Sequence, residues 1–475
     1  MKRNLLFFLA AVIIIPALII GCSNGYVDEI NRGEGYEYRP GYPELRIAAT
    51  GFINENNKTQ ILVSGDVVYG SLIYSKKEDS LKAKMSIEIS IYEDTDDNVE
   101  VAGTQFEESI ATVDDNISNN QDSYRFERVL DVPAGNYIVE VSVFDETSDK
   151  LSTRITNTSL PNPEDDISNV TDIQVLGKNS ESSNTGFYQV TTFDIPSKFD
   201  SLKFVFQVTN NKPDAPISIE SRLLKFSADS TPARPMNYNN YSPSSIQYKG
   251  IDYDEYDIVQ SSVRDLQQPG SVFIEFAYSE LPRGNYRLEV TSNEGQEDEL
   301  YRARDFSIKS ENYPSPSSAI ELARPLVYIM NDDEYEALMS IKDPDSLKAA
   351  VDRFWLTNIQ NSSTARSVIS LYYERVEEAN KQFSNFKEGW KTDPGMMYIL
   401  FGPPWYNDRF SDEMVWSYSY NRQDPEKTFY FYRTKINNKF YPFTNYILSR
   451  DSFYYSVNYQ QREKWRTGII LTDNL

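Results

Sequence analysis

An eleven-residue segment, Asp131-Val-Pro-Ala-Gly-Asn-Tyr-Ile-Val-Glu-Val141, returns as Glu280-Leu-Pro-Arg-Gly-Asn-Tyr-Arg-Leu-Glu-Val290, with six positions identical at an offset of 149. That offset is one domain length, so the repeat predicts two copies of one fold rather than a single large one. Pro and Gly set a tight turn, a tyrosine opens a strand, and apolar residues then alternate with polar ones. The same two-residue period runs through Met85, Ile87, Ile89 and Ile91, through Tyr137, Val139, Val141 and Val143, and through Leu202, Phe204, Phe206 and Val208. Strands with one wet face belong to antiparallel sheets rather than to crossover units.

Turn, strand, acidic turn and a further strand beginning at Leu151 or Leu300 resemble strands F and G of immunoglobulin-like or fibronectin-like sandwiches, with Tyr137 and Tyr286 placed as tyrosine corners. These tyrosines read as folding devices. The expected sandwiches are residues 45–160 and 165–310. Between 210 and 250, Pro213, Pro216, Pro232, Pro235 and Pro243 stand among many Asn, Ser and Tyr, which predicts a long loop in the second sandwich, a common location for binding.

The amino terminus supplies an address. Met1-Lys2-Arg3-Asn4 precedes an apolar run from Leu5 to Ile20, followed directly by polar residues, which is the layout of a secretory signal rather than of a spanning helix. Ile19-Ile20-Gly21-Cys22 resembles the bacterial lipoprotein processing box. That resemblance implies removal of residues 1–21, lipidation of Cys22 (diacyl and palmitate chains) and attachment to a membrane without a span. Ser23 after the cysteine favours the outer membrane, on its periplasmic or surface face. Residues 22–44, rich in Gly, Tyr, Arg and Pro, read as a tether.

Charge and composition exclude several chemistries. The chain has no histidine, which removes Ser-His-Asp and Cys-His catalysis and His-ligated zinc. One cysteine excludes an intrachain disulfide and a thiolate metal cluster. A formal charge of -24 opposes binding to nucleic acid, which needs clustered Lys and Arg. Asp94-Thr-Asp96-Asp-Asn98-Val-Glu100 begins like a calcium loop, but Val99 stands where glycine is required and Gln105 where the bidentate Glu belongs. No metal and no cofactor is expected.

The period turns helical after a Ser-Pro junction at Ser310 to Ser318. Asp332 to Ile341 predicts a short helix, Asp345 can cap another reaching about Leu356, and Ala365, Val368, Ile369, Tyr372, Val376, Ala379 and Phe383 mark an amphipathic helix. Strand-sized apolar pieces follow: Met396 to Phe401, Glu413 to Tyr420, Thr428 to Arg433 and Tyr441 to Leu448. The expectation is an α+β domain over 318–475, helices first and then a small antiparallel sheet.

Inside that domain, Gly389-Trp390-Lys391-Thr392-Asp393, then Pro394-Gly395, the apolar stretch with Tyr398, and Gly402-Pro403-Pro404 resemble the signature of the GWxTD-domain lipoprotein family of Gram-negative bacteria. The resemblance carries no catalytic residues. Physically, Asp393-Pro394-Gly395 is turn chemistry, Trp390 an apolar plug, and Gly402-Pro403-Pro404 a strand terminator. The leading expectation is a noncatalytic, lipid-anchored envelope protein that docks a protein partner. The alternative is a glycan-binding protein or hydrolase whose pocket gathers Trp390, Thr392, Asp393, Tyr398 and Trp405.

Overall fold

The computed structural model describes residues 30–33, 37–77, 79–165, 168–179, 186–212, 216–267, 270–292, 299–434 and 443–472. Cys22 and the apolar leader lie outside the described residues. Two β-sandwiches are followed by a helical region with a small antiparallel sheet. No helix among the described residues is long and apolar enough to cross a membrane.

In the first sandwich, strands Leu45–Ile53, Thr59–Val68 and Ser123–Asp131 face a sheet built on Ser80–Glu93, Glu100–Thr112, Gly135–Asp145 and Lys150–Leu160, with a short Ser75–Lys77 strand beside it. The alternation sets the register. Ile87, Ile89 and Ile91 stand opposite Val143, Val141 and Val139, and all six are buried in one core.

The second sandwich pairs Leu300–Lys309, Gly284–Ser292, Ile217–Ala228 and Ile251–Leu266 in one sheet; Ser201–Asn210 sits central in the other, between Gly270–Ser279 and Gln174–Lys178. Phe204, Phe206, Leu223, Leu288 and Phe306 fill the space between them. Two pairings depart from the all-antiparallel expectation. Ile30–Asn31 and Asp194–Pro196 both run parallel to Leu300–Lys309, along successive stretches of that edge strand. The segment expected to be a free tether therefore contributes a strand. Arg304 bonds Asn31 and the Thr192 carbonyl, and Arg154 bonds the Glu37 carbonyl, so residues 30–33 and 37–44 lie against the sandwiches.

The repeated turns build equivalent corners. Tyr137 donates its hydroxyl to the Pro133 carbonyl at 2.7 Å, and Tyr286 to that of Pro282 at 2.6 Å. Gly135 and Gly284 share a φ of 156°, a backbone angle that side-chain-bearing residues rarely adopt.

The expected long loop is shorter than residues 210–250, because Ile217–Ala228 is a central strand. What remains, residues 229–245, crosses to the C-terminal domain, and Ala233 and Met236 are buried in that domain's core. It is a plug between domains rather than an open binding loop.

The C-terminal region holds helices α1 (Asp332–Ser340), α2 (Pro344–Asn358), α3 (Ser362–Phe383), α4 (Asp393–Phe401) and α5 (Tyr455–Thr467). Asp343, not Asp345, caps α2, accepting from the Ser346 amide. Asn361 caps α3 through the amides of Ser363 and Thr364. The sheet runs Tyr406–Arg409, Glu413–Ser417, Thr428–Arg433, Tyr446–Leu448. Two expectations fail here. Residues 396–401 are helix, not strand, since every residue of α4 is buried and an all-round apolar helix has no polar stripe to reveal its period. Helix α5 lies where no helix was expected, and its Trp465 is buried against Tyr372, ring centroids 5.0 Å apart.

Candidate functional site

The Gly-Trp-Lys-Thr-Asp segment joins α3 to α4, and its chemistry is that of a helix start. Thr392 caps α4: its Oγ1 accepts from the Gly395 amide at 3.1 Å and donates to the Gly389 carbonyl at 2.7 Å. Pro394 falls in the first turn, where a missing amide hydrogen costs nothing. The turn expected at Asp393-Pro394-Gly395 is thus a helical first turn. The two glycines permit close backbone contact: a Cβ on Gly389 would stand 1.9 Å from the Ala379 carbonyl oxygen, and one on Gly395 equally close to that of Gly389.

Trp390 is buried and bonded on three sides. Its amide donates to Asn380 Oδ1, its indole to Glu388 Oε2 at 3.0 Å, and its carbonyl accepts from Tyr328 at 2.8 Å. Asp393 is held by Arg450, with Oδ1 to Nη2 and Oδ2 to Nη1 both 2.7 Å, and Oδ2 also accepts the Leu448 amide. Both carboxylate oxygens are occupied by the protein itself. Desolvation works against the Arg450 charge, but Asp393 outweighs it and holds the guanidinium above its usual value. Gly402, at φ 83°, ends α4, and its carbonyl accepts from Tyr418.

The structure does not gather the expected pocket. Gly389, Trp390, Thr392 and Asp393 share one neighbourhood. Tyr398 leans on α3 and bonds Glu378. Trp405 is 42 % exposed and meets Tyr420 edge-on at 4.6 Å. Phe410, Tyr430 and Tyr432 on the small sheet are exposed as well.

A cleft of about 540 Å³ opens where the second sandwich meets the C-terminal domain, with Trp390 and Lys391 on its wall. At its floor Glu388 accepts from the Ser310 amide at 2.9 Å and pairs with Arg283 and Lys391. Burial pushes the Glu388 carboxyl upward, yet Lys391, Arg283 and the Ser310 bond prevail and hold it at about 2. Lys391 is held below its usual value by burial, opposed by Glu388 and reinforced by repulsion from Arg283 and Arg324. No cluster of His, Cys, Asp or Glu able to hold a metal is present among the described residues.

Glu388 and Arg450 were absent from the sequence-derived candidates. Glu388 directly precedes the motif, so its nearness was available. Arg450 lies 57 positions from Asp393, and no spacing rule links them.

A search of curated proteins returns no match. Among solved structures, red sea bream transglutaminase is 11% identical, covering 56% of this chain and 31% of its own, with a TM-score of 0.19. Salmonella alpha-2-macroglobulin is 12% identical over 59% of this chain and 17% of its own, at 0.18. The fibronectin(III)-like modules of Clostridium thermocellum CbhA are 8% identical over 54% of this chain and 87% of theirs, at 0.14. The chain thus spans about a third or less of the first two proteins. A family model described as the GWxTD domain matches residues 287–467, beginning inside strand Gly284–Ser292 and ending at the close of α5. Through that match, which takes in the last two strands of the second sandwich as well as the helices and small sheet, the chain carries a GWxTD domain.

Proposed function

We propose that the chain is a lipid-anchored protein of the cell envelope, held to the outer membrane through Cys22, which docks a protein partner and catalyses no reaction. The observation that supports this most is the outer face of the small sheet. Tyr430 and Tyr432 are exposed on strand Thr428–Arg433, and Phe410 is exposed at the turn that pairs back to Glu413, the residue opposite Tyr432. Exposed aromatic rings concentrate at protein interfaces, where they bury large areas at small entropic cost. The motif supports a binding role from the other direction: Thr392 and Asp393 are both consumed by internal bonds. The two sandwiches then serve as the arm that carries the docking domain.

A photoreactive side chain at Tyr432, activated in intact cells, tests the proposal. The expected result is a discrete adduct with one envelope protein, missing when the probe stands at exposed Val113 on the first sandwich. Identical adducts from both positions, or none at Tyr432, would defeat the docking reading.

The edge-to-face pair of Trp405 and Tyr420 favours one second reading, in which these two rings stack on sugars. Retention on cell-wall polysaccharide that Trp405→Ala abolishes would select it over a protein partner.

A further inference from the structure

The cleft between the second sandwich and the helical C-terminal region reverses the charge balance of the chain. Across the whole sequence acids outnumber bases 71 to 47. On the cleft wall six side chains are basic (Lys225, Arg283, Lys309, Arg324, Lys387 and Lys391) and two, Asp229 and Glu388, are acidic.

Internal pairing does not cancel this excess. Lys387 is matched by Asp229, and Lys309 reaches Asp194, which is not on the cleft wall, at 3.1 Å. Glu388 is shared between Arg283 and Lys391. Lys225 and Arg324 take part in no ion pair among the described residues. Six cations therefore meet three carboxylates in a recess that excludes part of the solvent, where like charges repel more strongly than on an open surface. Lys391 is held below its usual value chiefly by burial, and repulsion from Arg283 and Arg324 adds to that lowering. A fold that places unmatched cations together, in a chain otherwise strongly acidic, loses stability unless something negative occupies the space.

The rest of the wall mixes apolar side chains with the polar Ser230, Asn285 and Ser307. Phe226, Phe386 and Met339 line it, and its volume of about 540 Å³ exceeds what inorganic phosphate alone would fill. Arg and Lys in one recess suit oxyanions, which accept several charge-assisted hydrogen bonds at once.

We propose that this cleft binds a multivalent oxyanion, a small molecule that carries phosphate or carboxylate groups beside an apolar portion. The cleft and the aromatic sheet face are separate surfaces, so this site does not depend on the docking proposal.

Calorimetric titration of the full-length protein in detergent, with pyrophosphate and with citrate at constant ionic strength, provides the test. Saturable binding of at least one anion is expected, with chloride at equal ionic strength giving none. Tighter binding of pyrophosphate identifies a phosphate-bearing ligand, and tighter binding of citrate a carboxylate-bearing one. The double variant Lys225→Ala/Arg324→Ala removes two side chains that no carboxylate needs, so its thermal midpoint should hold while its affinity falls at least about tenfold. If that variant fails to fold, Arg324→Gln alone takes its place. Absence of saturable binding by both anions at millimolar concentration, or a folded variant that binds as the parent does, would overturn the assignment.

Discussion

Asp393 and Arg450 meet through two parallel hydrogen bonds of 2.7 Å, both side chains shielded from solvent. The pair ties the first turn of α4 to the segment after strand Tyr446–Leu448, and Arg450 continues to the carbonyls of Arg234 and Pro235 in the plug loop. One guanidinium thus links motif, sheet and second sandwich. Asp393→Ala leaves that cation buried without its partner and is expected to cost about 3–5 kcal/mol, measured by urea unfolding. Asp393→Ala combined with Arg450→Met should recover part of the loss. A single variant as stable as the parent would refute the structural role of the motif aspartate.

The tyrosine corners should behave alike despite being a domain apart. Tyr137→Phe and Tyr286→Phe each remove one hydroxyl and orphan a proline carbonyl, an expected loss of about 1–2 kcal/mol apiece. Separate calorimetric transitions for the two sandwiches would show each substitution lowering its own midpoint only.

Acid should act through Glu388. Its carboxyl is held at about 2 in the folded protein, against 4.5 for an unperturbed glutamate. A folded value below the unfolded one contributes stability that is complete above about pH 4.5 and is lost as the pH falls toward 2. The contribution is roughly 3 kcal/mol, a figure from which the opposing effect of burial is already subtracted. Glu388→Gln should therefore be less stable than the parent at pH 6, and the gap should narrow steadily below pH 4.5. A gap that stays constant with pH would contradict this origin.

The plug makes the second sandwich and the GWxTD domain one cooperative unit. Met236, fully enclosed in the C-terminal core, is contributed by the sandwich. Met236→Ala is expected to cost about 2–5 kcal/mol and to split a shared calorimetric transition into two.

What could be read beforehand follows from where water reaches. Strands such as Gly135–Asp145 keep one wet face, so Val139, Val141 and Val143 announce themselves by alternation. Helix α3 has a polar side, and its apolar stripe is equally visible. Helix α4 has no wet side, and its Met-Met-Tyr-Ile-Leu-Phe run has the length and content of a buried strand. Within the site, Trp390 and Thr392 could be picked from a motif but given only generic roles. Their partners Glu388 and Gly395 lie within three positions, whereas Asn380 becomes a partner only once α3 packs beside the motif. The plug loop looked like any Pro-rich connection, since nothing local records that Met236 will meet a different domain.

The parallel strand Ile30–Asn31 bypasses the first sandwich: the chain touches the edge strand Leu300–Lys309 before it folds residues 45–160. Tension arriving from the amino-terminal side would enter the molecule at Ala303 and Arg304 and pass straight into the plugged pair of domains. The first sandwich is fastened to the same body, through Ile53 to Gln207, Asp66 to Thr191 and Glu44 to Lys381, so it would share that load rather than stand outside it.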